Sequence, residues 1–224
     1  AWSGSGAYRF SFKKLHATRL TLLPDDVVVA PSDGGTTLRV ALRDLMAVAT
    51  PASKSVVLWR SYDNRTYSRF ATVTTGATGE ARRSVAPNYK TYYKATFVGD
   101  GSLLGRAISN VSYVDPEARI GAVAVRSTVE AGSRFALKAT VSPKHRMGTE
   151  ALTFQFYRYA RTDSGLRWVR VGTTAGKVTA SGEQSSTCTG YRVFDRPGHY
   201  RVVAFHDDAD HALTTSPLRT FTVE

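Results

Sequence analysis

The chain has 224 residues, a formal net charge of +12, 42% hydrophobic and 21% charged residues, and one cysteine. That length suits one large or two ordinary domains, each able to bury a core. No apolar run approaches the roughly 20 residues of a membrane-spanning helix, so no membrane span is expected. Cys188 alone excludes an intrachain disulfide, a zinc site built on paired cysteines and a CxxC redox centre. Arginine and lysine number 30 against 18 acids, and both halves share the excess without a basic tail. Such a balance suits anionic partners, among them acidic glycans, and it also keeps a protein soluble. No signal peptide is recognised at the start, and a processed chain would read the same.

In chain order, Ala1–Gly6 is linker-like, and Tyr8, Phe10 and Phe12 alternate with polar residues as an extra edge strand would; residues 1–19 are assigned to this linker or strand. Leu38-Arg39-Val40-Ala41-Leu42 alternates apolar and polar residues and reads as a strand. Leu42, Leu45, Met46 and Ala49 recur at helical spacing, but the stretch is short and reads as a strand end followed by a connection. Val56-Val57-Leu58-Trp59-Arg60 is a second strand, Asp63-Asn64-Arg65 a turn, and Tyr93-Lys94-Ala95-Thr96-Phe97 a later strand. Val114-Asp115-Pro116-Glu117-Ala118-Arg119 then forms a short connector stiffened by its proline.

Past this connector the pattern repeats. Leu137-Lys138-Ala139-Thr140-Val141 follows Leu38–Leu42 at an offset of 99, and Phe154-Gln155-Phe156-Tyr157-Arg158 follows Val56–Arg60 at 98. Trp168 follows Tyr67 at 101, the intervening turn having grown to Thr162-Asp163-Ser164-Gly165. Tyr200-Arg201-Val202-Val203-Ala204 follows Tyr93–Phe97 at 107, and Asp100 and Ser109 fall on Asp207 and Ser216. Length changes confined to turns, with strand register kept, are what two copies of one fold produce. The spacing predicts an all-β protein of two tandem antiparallel sandwiches, residues 20–115 and 119–224.

These residues, with Ser61–Asn64, Ala71–Thr75, Thr91–Asp100 and Gly198–Asp210, resemble bacterial immunoglobulin-like repeat domains of secreted and surface proteins, over roughly residues 20–224. The resemblance implies a seven-strand sandwich, with Tyr93 and Tyr200 near a strand start where such folds use a corner tyrosine. It also implies a bacterial, secreted or cell-surface setting and a structural or adhesive role, the partners being other protein subunits or surface proteins. A filament or virion subunit falls within that range. The other class is a binding module for cell-wall or other acidic polysaccharide.

Among candidate sites, His206-Asp207-Asp208-Ala209-Asp210-His211 invites a metal, because carboxylates suit calcium and imidazoles suit transition metals. The repeat sets it against Val98–Leu103, where Asp and Gly serve a hairpin turn, so a solvated turn is the preferred reading and no cofactor is expected. If a metal does bind, calcium through Asp207, Asp208 and Asp210 is preferred over zinc through the two histidines. No GxSxG, HExxH or phosphate loop occurs, so no enzyme is expected, and Cys188 reads as a packed hydrophobe. Trp59-Arg60 and Tyr157-Arg158, with Arg167, Trp168 and Arg170, form a candidate ligand or assembly surface, since Trp59 and Tyr157 point outward if Leu58 and Phe156 face the core. Cross-strand covering of the sheet is the plainer account of the same residues. No helix-turn-helix, zinc-finger or RNP-type motif supports nucleic acid. Asn64-Arg65-Thr66 and Asn110-Val111-Ser112 are sequons that matter only in a glycosylating host.

Overall fold

Alternating burial along Thr36–Asp44 sets the pattern: Leu38, Val40 and Leu42 are buried while the residues between them face away, the period-2 signature of a half-buried strand. The computed structural model describes residues 14–30, 33–46 and 50–224, and the expected edge strand at Tyr8, Phe10 and Phe12 lies outside them. Among the described residues the regular structure is strand, with no α-helix and none long and apolar enough to cross a membrane. The chain is all-β. The helically spaced stretch from Ala41 begins as strand and bends at Leu45 and Met46.

A three-stranded sheet runs β1 (Thr18–Leu23), β3 (Thr36–Asp44), β6 (Glu80–Val85). A six-stranded sheet runs β2 (Asp26–Val29), β9 (Ser112–Pro116), β7 (Thr91–Phe97), β4 (Ser55–Ser61), β5 (Ser68–Thr74), with β8 (Ala107–Ile108) beside β7. Each sheet buries one face: Leu20, Leu22, Leu38, Val40 and Leu42 on the first, Val56, Leu58, Tyr93, Ala95 and Phe97 on the second. The result is a β-sandwich.

The remaining strands form one folded sheet ordered β10 (Arg119–Ile120), β12 (Phe135–Ser142), β15 (Ser186–Arg192), β14 (Gly165–Ser181), β13 (Glu150–Thr162), β16 (Gly198–His206), β18 (Arg219–Val223), β11 (Thr128–Val129), with β17 (Thr214–Thr215) beside β16. Its two layers share β14, which pairs with β13 as far as Lys177 and with β15 from Lys177 onward. Both layers face one core that includes Leu137, Val141, Phe154, Phe156, Val178, Cys188, Val202 and Phe221. The expectation of antiparallel pairing does not hold throughout. Strand β11 runs parallel to β18, held by Thr222 N–H to Ser127 O, Glu224 N–H to Val129 O and Ala131 N–H to Glu224 O, which satisfies an otherwise open edge.

By contact density the chain divides into two compact units. One comprises Ala1–Asp25, Thr37–Ser84 and Tyr92–Tyr113; the other comprises Asp26–Thr36, Val85–Thr91 and Val114–Glu224. In the second unit the Tyr200 hydroxyl donates to the Arg196 carbonyl at 2.7 Å, the corner-tyrosine bond, while its ring packs on Phe194 and Phe221.

Phe154 fixes the spacing of the second unit's layers. A Cβ at Gly176 would lie 2.7 Å from its ring and one at Gly190 2.8 Å, so both positions must lack a side chain. Gly190→Ala is expected to destabilise by about 1–3 kcal/mol in urea denaturation. Adding Phe154→Leu should cost less than the two single changes together, because the smaller side chain relieves the same clash.

Candidate functional site

The buried residues decide which side chains the outer face receives. Leu58 and Phe156 are fully buried, and directly after each the pairing with the next strand slips by one residue, between Leu58 and Trp59 and between Phe156 and Tyr157. A bulge re-aims the side chain that follows it. Trp59 and Tyr157, equivalent in the repeat, therefore emerge on the outer face half-buried rather than open.

What covers them comes from the neighbouring strands. Trp59 lies opposite Lys94 in β7 and donates through Nε1 to Thr96 Oγ1 at 2.8 Å, while Lys94 Nζ sits 3.8 Å from the Tyr67 ring centre. In the second unit Tyr157 lies opposite Arg201 in β16, and the Arg201 guanidinium is 4.8 Å from the ring centres of both Tyr157 and Trp168. Tyr159 extends the group, 5.3 Å from Trp168. Two aromatic faces are thus each roofed by one cation, at equivalent register positions.

The arginines adjacent in sequence do not join these faces. Neighbouring residues on a strand point to opposite sides, and beyond the bulges Arg60 lies over Phe70, itself against the buried Tyr93. Arg158 donates to the Pro197 carbonyl at 3.0 Å. Arg167 and Arg170 are exposed on β14, with Arg170 opposite Tyr157. The cations that do stack, Lys94 and Arg201, were legible only as cross-strand partners: each follows a strand-start tyrosine in the aligned repeat.

A second group lies in the loop after β16. His206 and His211 are buried, and their ligating atoms, with those of His145 and Asp208, all lie within 4.8 Å of one another. Asp208 Oδ2 is 3.1 Å from His206 Nε2 and 3.6 Å from His145 Nε2, and Asp208 Oδ1 is 2.9 Å from His211 Nδ1. Burial works against the Asp208 charge, yet His211, the Asp210 N–H and the facing imidazoles carry its carboxyl below the usual range. Burial, then the neighbouring imidazoles, lowers His145 below the ordinary histidine value. The sequence favours a solvated turn here, with Asp207, Asp208 and Asp210 as the oxygen set only if calcium binds. Asp207 and Asp210 are exposed and outside the group, because the turn that draws His206 and His211 inward presents only Asp208 to them.

The equivalent loop of the first unit is different again. Asp100 accepts the N–H groups of Ser102, Leu103 and Leu104 and pairs with Lys54 at 2.9 Å. Lys54, then these amides, holds its carboxyl well below the usual carboxylate range. Cys188 is a buried thiol, pushed up to about 11 by its apolar surroundings. Asn110 of the second sequon is already engaged, accepting from Leu22 N–H and donating to Leu22 O and Asp25.

No protein-family model and no curated relative matches the chain. Among solved structures it is similar to red sea bream transglutaminase, at 12% identity and a TM-score of 0.37, over 92% of this chain and 31% of that one. It is also similar to a CARDB domain from Pyrococcus furiosus, at 12% identity and a TM-score of 0.28, over 48% and 94%. A third is a Pseudomonas fluorescens alkylpurine DNA glycosylase bound to DNA containing an abasic site analogue, at 11% identity and a TM-score of 0.27, over 48% and 30%. The chain spans about a third of the length of the transglutaminase and of the glycosylase. The strands themselves, not these overlaps, carry the β-sandwich assignment.

Two outcomes follow from this geometry. Arg201→Met should cost roughly 1 kcal/mol in urea denaturation through lost stacking on Tyr157 and Trp168, whereas Arg167→Met, at an exposed position, should stay within about 0.5 kcal/mol. The Asp100 carboxyl is depressed on folding, so its contribution is present above the ordinary value of 3.8 and is lost as pH falls below it. Acid titration of thermal stability should accordingly fall more shallowly below pH 3.8 in Asp100→Asn than in the parent chain.

Proposed function

We propose that the chain is a non-enzymatic structural or adhesive module, built from two copies of one β-sandwich and working outside the cell in a bacterial surface, filament or virion assembly. Its partners on this reading are other protein subunits or surface proteins. The supporting observation is the recurrence of one face. Trp59, Tyr67 and Lys94 in one repeat correspond to Tyr157, Trp168 and Arg201 in the other, beside the same bulge and at the same register. A module that makes the same kind of contact through each repeat needs this duplication. A single catalytic centre does not. Half-buried aromatics held by a cation supply a large, rigid contact area with little side-chain entropy to lose, which favours a protein interface.

The net charge of +12 and the Arg201-capped rings favour one second reading, stacking on an anionic cell-wall polysaccharide. Sedimentation separates the two. On the assembly reading the chain should self-associate, or join its surface partner, with Trp59→Ala and Trp168→Ala each weakening association while thermal melts show intact folding; co-sedimentation with purified cell-wall polysaccharide should be negligible at every salt concentration. A strictly monomeric chain whose polysaccharide binding falls with salt and with either tryptophan would overturn it.

A further inference from the structure

Three of the chain's five histidines meet one carboxylate in the second unit, and their hydrogen bonds determine which ring atoms face inward. His206 Nδ1 is 2.6 Å from the Ala151 carbonyl, and His211 Nε2 is 3.0 Å from the Asn88 carbonyl. A carbonyl only accepts, so both of these nitrogens carry the proton and donate. In neutral rings the remaining nitrogens, His206 Nε2 and His211 Nδ1, hold lone pairs, and these two atoms face each other at 3.3 Å. Asp208 adds an acceptor-only carboxylate at 3.1 Å from one and 2.9 Å from the other. The two ring nitrogens of His145 are shielded from solvent, and its Nε2 lies 3.6 Å from Asp208. Lone pairs and a negative charge converging on one point require a positive charge among them.

The spacing says which one. Donors in a tetrahedron with bonds of 2.0–2.1 Å stand about 3.3–3.4 Å apart; the four separations given run from 2.9 to 3.6 Å, counted to both oxygens of Asp208, and the whole set lies within 4.8 Å, so a small inward movement of the side chains would close it on one ion. Calcium requires six to eight oxygens, and this group offers at most the two of Asp208. Imidazole with one carboxylate in a tetrahedral frame suits zinc. We propose that His145, His206, Asp208 and His211 form a closed tetrahedral site for zinc or a similar divalent cation. The Ala151 and Asn88 carbonyls are its outer shell, fixing the tautomer and ring orientation of two ligands as such partners do in zinc proteins.

Four protein ligands complete a tetrahedron, so the site leaves no coordination position for substrate water and its role is structural. It ties the loop after β12, the end of β16 and the loop after β16 in a unit that cannot form a disulfide. The proposal stands apart from the aromatic surface and does not rest on it.

The test uses the tag-free full chain, stripped with chelator and titrated with zinc alone, with calcium as the contrasting ion. One zinc per chain should bind, the melting temperature should rise with zinc but not with calcium, and cobalt should give the intense visible bands of a tetrahedral centre. His145→Gln, whose metal-free melting should stay near that of the parent chain, and Asp208→Asn, which should melt somewhat lower without metal because its charged contact with His211 is lost, should each weaken zinc binding by at least about tenfold. His199→Gln, remote from the group, should bind as the parent does. Substoichiometric zinc, an octahedral cobalt spectrum, or unchanged binding in both ligand variants would overturn the site. So would a melting temperature that follows pH but not zinc, since a shared proton would then supply the positive charge.

Discussion

Burial of Leu58 and Phe156 constrains almost everything on the outer face of the two repeats. Because a strand's side chains alternate, fixing these two in the core leaves their neighbours no choice of side, and the bulge after each sets how far the next ring leans out. Trp59 and Tyr157 follow from that, and so do Lys94 and Arg201 opposite them. The arginines next in sequence are carried to the other face by the same rule. A surface that looks in one dimension like an aromatic-arginine dipeptide is in three dimensions an aromatic from one strand and a cation from the next.

At the aligned core positions the spacing in the sequence agrees with the observed register. Aligning Leu58 with Phe156 and Ala95 with Val202 makes their observed pairings, Leu58 with Ala95 and Phe156 with Val202, the same pair. Strand spacing survives divergence because a one-residue slip would turn a core face outward. The histidine group was not legible. Its fourth member, His145, reaches it from the loop after β12, and only a folded chain brings that loop to the end of β16. One signal did exist: Tyr200, Val202, Ala204 and His206 alternate in phase, and all four are buried. Extending the period by one step would have turned His206 inward and weakened the case for a solvated turn.

The two loops after these equivalent strands show how one scaffold diverges. Asp100 satisfies three backbone amides of its own loop and is neutralised by Lys54. In the second repeat the aligned Asp207 faces solvent, and Asp208 has turned toward imidazoles instead. The first loop is closed by a lysine and its own backbone, the second by side chains gathered from elsewhere. The strands bearing the loops pair at equivalent positions with β4 and β13.

The parallel contact between β11 and β18 bears on how the second unit carries load. Tension entering from the side of Ala118 pulls β11 one way along its axis, and tension leaving through Glu224 pulls β18 the other way. The bonds at Ser127, Val129 and Glu224 lie across that axis, so they resist sliding as a group instead of parting one at a time. A hairpin pulled open at its mouth has no such protection. The short strand that closes an edge is therefore loaded in shear, not peeled, when the two ends of the unit are pulled apart.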